Sequence, residues 1–165
     1  MVDRRANLDV ADARLSEAMQ LQALTGLQIL QGIREGTIPP PPFATLLGMR
    51  LVEIEPGRAV FEANPGDEHY HPFGAVHGGF AMSLLDSALA CAVSSTLPAG
   101  TSSATIDIHV RLLRPITRDS GKLRCEAQVV SSTRTLATSE GKIIDASGKV
   151  LATGTAACAI REARS

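Results

Sequence analysis

An α+β fold, with one antiparallel sheet wrapped around a single central helix and an extra helical arm in front of it, follows from three observations on the 165-residue chain. The stretch from Gly79 to Val93 is apolar on almost every side of a helical wheel, which reads as a helix buried all round. Segments before and after it alternate apolar and polar residues between short turn signals, as strands with one buried face do. Four consecutive prolines, Pro39 to Pro42, set these segments apart from a first stretch with helical spacing.

In chain order, residues from about Asp9 to Arg34 carry an apolar stripe of Leu15, Met19, Leu24, Leu27, Leu30 and Ile33, with Gly36 as a stop. The arm is therefore one helix or two short ones. The prolines make a stiff spacer, which places a boundary between an arm and linker at 1–42 and a main domain at 43–165. Phe43 to Leu47 suits a turn of helix, and Met49 to Ile54 and Ala59 to Ala63 read as two strands joined by Glu55-Pro56-Gly57. The central helix comes next. After Pro98-Ala99-Gly100, Ile106, Ile108, Val110 and Leu112 share one face of a strand, and Thr105, Asp107, His109 and Arg111 share the other. Leu123, Cys125, Ala127 and Val129 repeat the alternation, as do Val150, Ala152, Ala156, Cys158 and Ile160 beyond Ala146-Ser147-Gly148. The order is strand, strand, helix, then four strands, and one helix is available to fill the concave face of the sheet.

Composition narrows the function. Lys and Arg number 16 against 17 Asp and Glu, so the chain carries no electrostatic footprint for nucleic acid or an anionic membrane surface. Cys91, Cys125 and Cys158 are odd in number and widely spaced, which suits buried reduced thiols in a reducing compartment rather than a disulfide framework. No apolar stretch reaches about 18 uninterrupted residues, so the expectation is a soluble, cytoplasmic protein without membrane or nucleic-acid partners.

Asp86 is the one charge within the apolar helix, and a buried carboxylate is costly unless it is used or paired. Gly78 and Gly79 open the same helix. Glycines are poor inside a helix but suit its start, where the first amides lack internal partners and face a group that develops negative charge. Eight residues separate Gly78 from Asp86, roughly 12 Å at about 1.5 Å per residue. One small reacting group cannot touch both, so their cooperation requires two copies of the helix lying antiparallel in a homodimer with paired sites.

The run Gly74-Ala75-Val76-His77-Gly78-Gly79, the Asp86 that follows, and the strand Ile106 to Pro115 resemble the hotdog-fold acyl-CoA thioesterases of the PaaI-like and 4-hydroxybenzoyl-CoA thioesterase type. The resemblance covers about Phe43 to Ile160 and implies hydrolysis of a coenzyme A thioester, without a cofactor, across a dimer whose sheets join edge to edge. Such dimers commonly pair into tetramers. It further implies that the Gly78 backbone N–H polarises the thioester carbonyl and that Asp86 of the partner subunit is the catalytic carboxylate. His71 falls where relatives carry an Asn or another polar group that orients the water or the carbonyl. Thr105 falls where some place a Ser or Thr near the water. His77, Gly79 and Phe80 surround the helix start as substrate-binding candidates, with Leu46, Leu47 and Phe73 as further acyl lining. Arg111, Arg114 and Arg134 are candidates for the coenzyme A phosphates, Arg134 above all for the nucleotide end. Ala90, where the Glu-bearing aryl-CoA branch has a Thr, leans the chain toward the Asp-using branch.

Competing readings are weaker. His69, His71 and His77 lie close together, yet no Cys or carboxylate cluster completes a metal site, and none is expected. No Gly-x-Ser-x-Gly elbow supports a serine nucleophile. A hotdog hydratase or dehydratase and a non-catalytic acyl-CoA sensor remain as alternatives. Asp86 serves either as general base or as nucleophile, and the sequence leaves both open.

Overall fold

The computed structural model describes residues 21–162. The first helix that lies wholly within them, α1 (Gly26–Glu35), is bounded by local chemistry: Thr25 and Gln28 form a reciprocal capping box, and Gly36 closes the helix at φ 81°. Leu30 is buried, with Leu27 and Ile33 packed against the main core, so the arm's apolar stripe serves the same core as the sheet. The part of the expected arm that holds Leu15 and Met19 lies outside the described residues. A short helix, α2 (Pro42–Leu46), starts on the last of the four prolines, where a missing N–H costs nothing.

Six strands follow as β1 (Met49–Glu55), β2 (Arg58–Ala63), β3 (Thr101–Leu112), β4 (Leu123–Ser132), β5 (Leu136–Ile144) and β6 (Val150–Glu162), with α3 (Gly78–Ser94) between β2 and β3. They form one antiparallel sheet in the order β1-β2-β4-β5-β6-β3. Because β3 follows α3 in sequence yet lies beyond β6, it is an edge strand, paired on one side only.

α3 lies against the sheet with Leu84, Leu85, Ala88, Leu89 and Ala92 sealed from solvent. Room for the leucines comes from glycines on facing strands. A Cβ on Gly141 would lie 3.3 Å from Leu89 Cδ2 and 2.8 Å from the Glu126 carbonyl, and one on Gly154 would lie 3.3 Å from Leu85 Cδ1. The helix is not buried all round, however. Gly79, Ser83, Asp86, Ser87, Ala90, Cys91 and Ser94 are only half-buried and Met82 is exposed, because the sheet covers one side and ends at β3.

The β3 alternation also departs from the simple two-residue period. A bulge between Thr105 and Asp107 inserts Ile106, so Thr105 turns toward the helix with Ile108 and Val110 while Ile106 is 61% exposed. Thr105 is thus not on the outer face with Asp107, His109 and Arg111.

Candidate active site

The start of α3 is held from three directions. Val76 N–H donates to the Ile116 carbonyl at 2.9 Å and His77 N–H to the His69 carbonyl at 2.8 Å, which fixes the incoming chain. His77 is the N-cap, and its Nδ1 accepts the Gly79 N–H at 2.9 Å, while Phe80 N–H donates to the His77 carbonyl. The first helical amide, that of Gly78, has no hydrogen-bond partner among the described residues. It is an unspent donor at the positive end of a 17-residue helix. A Cβ on Gly78 would lie 2.7 Å from Leu112 Cδ1, so glycine is what lets the last residue of β3 pack over this backbone.

Gly78 lies on the wall of a cavity of about 260 Å³. Val76, Ala81, Ile116, Leu151 and Ala152 form its buried floor, whereas His71, Leu112, Leu113 and Arg114 line it nearer to solvent. His71 stands in a tight turn closed by bonds between His71 and Ala75 and between Gly74 and His71, and its Nδ1 accepts the Phe73 N–H at 3.1 Å. Nε2 is then the proton-bearing nitrogen of the neutral ring, a donor. His69 is committed in the same way, with Nδ1 accepting the Gly66 N–H at 2.9 Å and its ring packed on Phe80 at a centroid distance of 4.6 Å. All three histidines thus spend Nδ1 on local backbone.

Two turns along α3, a second cluster forms. The Thr105 hydroxyl donates to Asp86 Oδ1 at 2.9 Å, which leaves Oδ2 available, and the same hydroxyl lies 3.9 Å from Cys158 Sγ. The bulge in β3 is what delivers Thr105 to the carboxylate. Further along the helix, the Ser94 and Ser103 hydroxyls are 3.1 Å apart, a second tie between α3 and the edge strand. Burial first, and the Asp86 charge second, push the Cys91 thiol up to about 12, so it is no nucleophile at neutral pH.

The structure therefore gathers Gly78, His71 and Arg114 around one cavity and places Asp86 with Thr105 elsewhere on the same helix. Gly79 and His77 shape the helix start, and Phe80 is a buried packing residue that does not line the cavity. Phe73 is 94% exposed and Leu46 76%, and neither they nor Leu47 line it, so the acyl lining expected from sequence is displaced. Arg114 Nη1 donates to the Val150 carbonyl at 2.6 Å. Arg111 lies on the opposite face of the sheet, in a groove whose other cations are paired: Arg58 with Glu53 at 2.9 Å and Lys142 with Glu126 at 3.5 Å. Arg134 sits in the β4–β5 turn, next to strand ends that pack on the far end of α3 from Gly78. Sequence reasoning did not single out the floor residues Ala81, Ile116, Leu151 and Ala152. Their apolar character marks core, and only the sheet's curvature reveals that they enclose space.

Comparison with known proteins bears on the fold and the class of reaction. The family model of the thioesterase superfamily matches residues 73–152, a range that includes Gly78, Asp86, Thr105 and Arg114. Human acyl-coenzyme A thioesterase 13 is 29% identical over 114 residues, covering 68% of this chain and 80% of that protein. A putative thioesterase, a phenylacetic acid degradation-related protein from Ralstonia eutropha, superposes with a TM-score of 0.73 at 28% identity, covering 79% of this chain and 98% of that one. A single-residue variant of the phenylacetic acid degradation protein PaaI from Thermus thermophilus does so with a TM-score of 0.65 at 28% identity, over 72% and 98% of the two chains. Together these likenesses support a hotdog-fold thioesterase and indicate a thioester hydrolase.

Proposed function

We propose that the protein is an acyl-CoA thioesterase whose site is completed by a second copy of the chain. The observation that carries the reading is the separation of two chemically complementary groups on one helix. An unpartnered Gly78 N–H stands at the N-terminus, and a carboxylate oriented by Thr105 stands about 12 Å along the axis. Both ends of the reaction need such groups: a donor for the oxygen that becomes negative, and a carboxylate for the water or the acyl carbon. Antiparallel pairing of the free edge of β3 with its mate around a two-fold axis sets the two helices antiparallel and brings Gly78 of one subunit toward Asp86 of the partner. The half-buried stripe of α3 and the exposed Ile106 are what such pairing covers.

In this reading the thioester carbonyl accepts the Gly78 N–H, His71 lies beside it, and Arg114 and Arg134 serve the coenzyme A phosphates. The similarity to acyl-coenzyme A thioesterase 13 supports coenzyme A as the thiol. The catalytic unit spans residues 43–165, pairs of dimers form a tetramer, and the protein works in the cytoplasm. Arg111, on the outer face, has no place in it.

Mixed dimers test the shared site. Gly78 is the first helical residue and His77 before it has φ −58° and ψ 134°, a conformation compatible with a following proline. Gly78→Pro therefore deletes one N–H and keeps the helix. Refolding Gly78→Pro together with Asp86→Asn restores one intact site per heterodimer, about a quarter of wild-type activity for random pairing. No recovery in verified heterodimers rejects the shared site. Absence of thiol release from every CoA thioester tried with wild-type protein rejects the enzyme in favour of a binding protein.

A further inference from the structure

The edge strand β3 carries three exposed polar side chains that no reaction step uses: Asp107, His109 and Arg111, all on its outer face. His109 Nε2 lies 3.3 Å from Asp107 Oδ1, while Arg111 has no ion pair among the described residues. A free edge of 12 residues is a template for another strand. In the shared site that strand is the partner's β3, and the position of the two-fold axis sets the register.

An axis that brings Gly78 to the partner's Asp86 crosses α3 midway between the two residues, at Met82. Gly78, Met82 and Asp86 follow one another at four-residue spacing along one side of the helix, and Met82 is 45% exposed although it stands in mid-helix. Two contacts carry this level across to β3. The Thr105 hydroxyl donates to Asp86 Oδ1, and a Cβ on Gly78 would meet Leu112 Cδ1, so Thr105 marks one end of the interval and Leu112 the other. Their neighbours on β6 are Cys158 and Ala152, with the bulge absorbing Ile106. The midpoint on β6 is Thr155, which faces His109. The axis therefore passes Met82 on the helix and His109 on the sheet.

Antiparallel pairing about His109 fixes the remaining neighbours, because residues equally far on either side face each other. Arg111 meets the partner's Asp107, and Asp107 the partner's Arg111, so two opposite-charge pairs flank the histidines. Ile108 meets the partner's Val110, and Ile106, 61% exposed, falls opposite the partner's Leu112, a residue 53% exposed in the single chain. Neighbouring registers lose this match. With the axis at Ile108, Arg111 faces the partner's Thr105, which the bulge turns inward; with the axis at Val110, it faces the partner's His109.

We propose that the chain pairs with its own copy through β3 in this one register, with His109 on the two-fold axis and crossed Asp107–Arg111 pairs as the residues that set it. These are positioning residues for the site. Moving the axis by one residue slides the partner strand by two, about 7 Å, and takes the partner's Asp86 away from Gly78. The proposal rests on the shared-site reading given above.

Cysteine cross-linking reads the register. Facing Cβ atoms in an antiparallel pair lie about 4.5–5.5 Å apart, within reach of a disulfide after a small shift, whereas residues 107 and 111 each stand about 13 Å from their own copies. Under mild oxidation His109→Cys is expected to run as a covalent dimer on a non-reducing gel. Asp107→Cys, Arg111→Cys and the wild type, with its native Cys91, Cys125 and Cys158, are expected to run as monomers. Asp107→Arg and Arg111→Asp each set like charges face to face, and each is expected to speed subunit exchange between tagged dimers and to lower kcat/KM, both by about 10- to 100-fold. The double variant, with the two charges exchanged, is expected to return both to within about threefold of wild type. Cross-linking through residue 107 or 111 but not 109, or a double variant no better than its parents, overturns the register. A covalent His109→Cys dimer whose Gly78→Pro and Asp86→Asn counterparts never complement each other upholds the register and sinks the shared site instead. Complementation without the cross-link does the reverse.

Discussion

The two ends of the chemistry on α3 differ in almost every physical respect. At the Gly78 end the useful group is a backbone amide, fixed by the N-cap and by two strand-like hydrogen bonds, and residues of one protomer line the cavity beside it. At Asp86 the useful group is a side chain, held by one hydroxyl from β3 on a stripe that the protomer leaves half open. One end is complete and lacks a carboxylate; the other has the carboxylate and lacks an enclosure. A site shared across a two-fold axis needs such a mismatch, since each half then has value only when copied.

The comparison breaks most sharply at Asp86. Asp86→Asn keeps the shape and the Thr105 contact but removes the carboxylate that the proposed reaction uses, and kcat is expected to fall about 10²- to 10⁴-fold with the oligomer unchanged by light scattering. Single-turnover hydrolysis in heavy-oxygen water then separates the two roles, since label inside Asp86 appears only along the anhydride route. Next comes Gly78→Pro, which deletes one donor and should lower kcat about 10²- to 10³-fold. Gly78→Ala adds a Cβ near the flexible tip of Leu112 yet keeps the N–H, so a loss as large as that of the proline variant would mean that space rather than the donor matters.

Thr105→Val sharpens the other half. Without its donor the carboxylate is free to rotate, and a loss of about tenfold, near 1.4 kcal/mol, is expected in kcat, with Thr105→Ser restoring most of it. A valine variant with full activity would make the hydroxyl a packing detail. The smallest effect concerns Cys91 on the open stripe. Its folded value is raised from 9.0 to about 12, so above pH 9 the unfolded chain gives up a proton that the folded chain retains. Its contribution to stability is therefore complete below pH 9 and declines as pH rises toward 12. Denaturation midpoints of Cys91→Ala against wild type across that range should converge or cross accordingly, and iodoacetamide at about pH 8 should leave Cys91 of folded protein unmodified.

The outer face offers an acid-side counterpart with no bearing on the site. The Arg124 guanidinium, then that of Arg58, hold Glu53 below the usual carboxylate range, and Arg124 does the same for Glu126. Their shares of stability are present above pH 4.5 and lost as the pH falls through the lowered values. Glu53→Gln should flatten the acid side of the stability profile slightly, as exposed pairs contribute little.

Much of this is legible in the residues. The strand segments, the turns at Gly57 and Gly148, the Gly36 stop and the spacing from Gly78 to Asp86 all express local rules, the two periods and the glycine conformations, which need no tertiary contact. The failures share a cause. Alternation puts Thr105 on the wrong face because an inserted residue at Ile106 resets a period that sequence shows as unbroken. α3 reads as buried on all sides because Ala, Ser and Cys are compatible with a sheet, a partner or solvent alike. Phe73 and Leu46 suggest pocket lining by their hydrophobicity, which does not tell an exposed loop from a cavity wall.

The sequence by itself thus determined the helix with its donor and its carboxylate, and the distance between them, because rise per residue is a property of the backbone. Only the tertiary structure decided that β3 lies at an edge, that its bulge brings Thr105 to Asp86, and that apolar residues from α3, the 113–116 segment and β6 enclose an apolar space beside Gly78. Those facts depend on strand order and curvature, which arise from contacts between residues distant along the chain and leave no periodic trace in it.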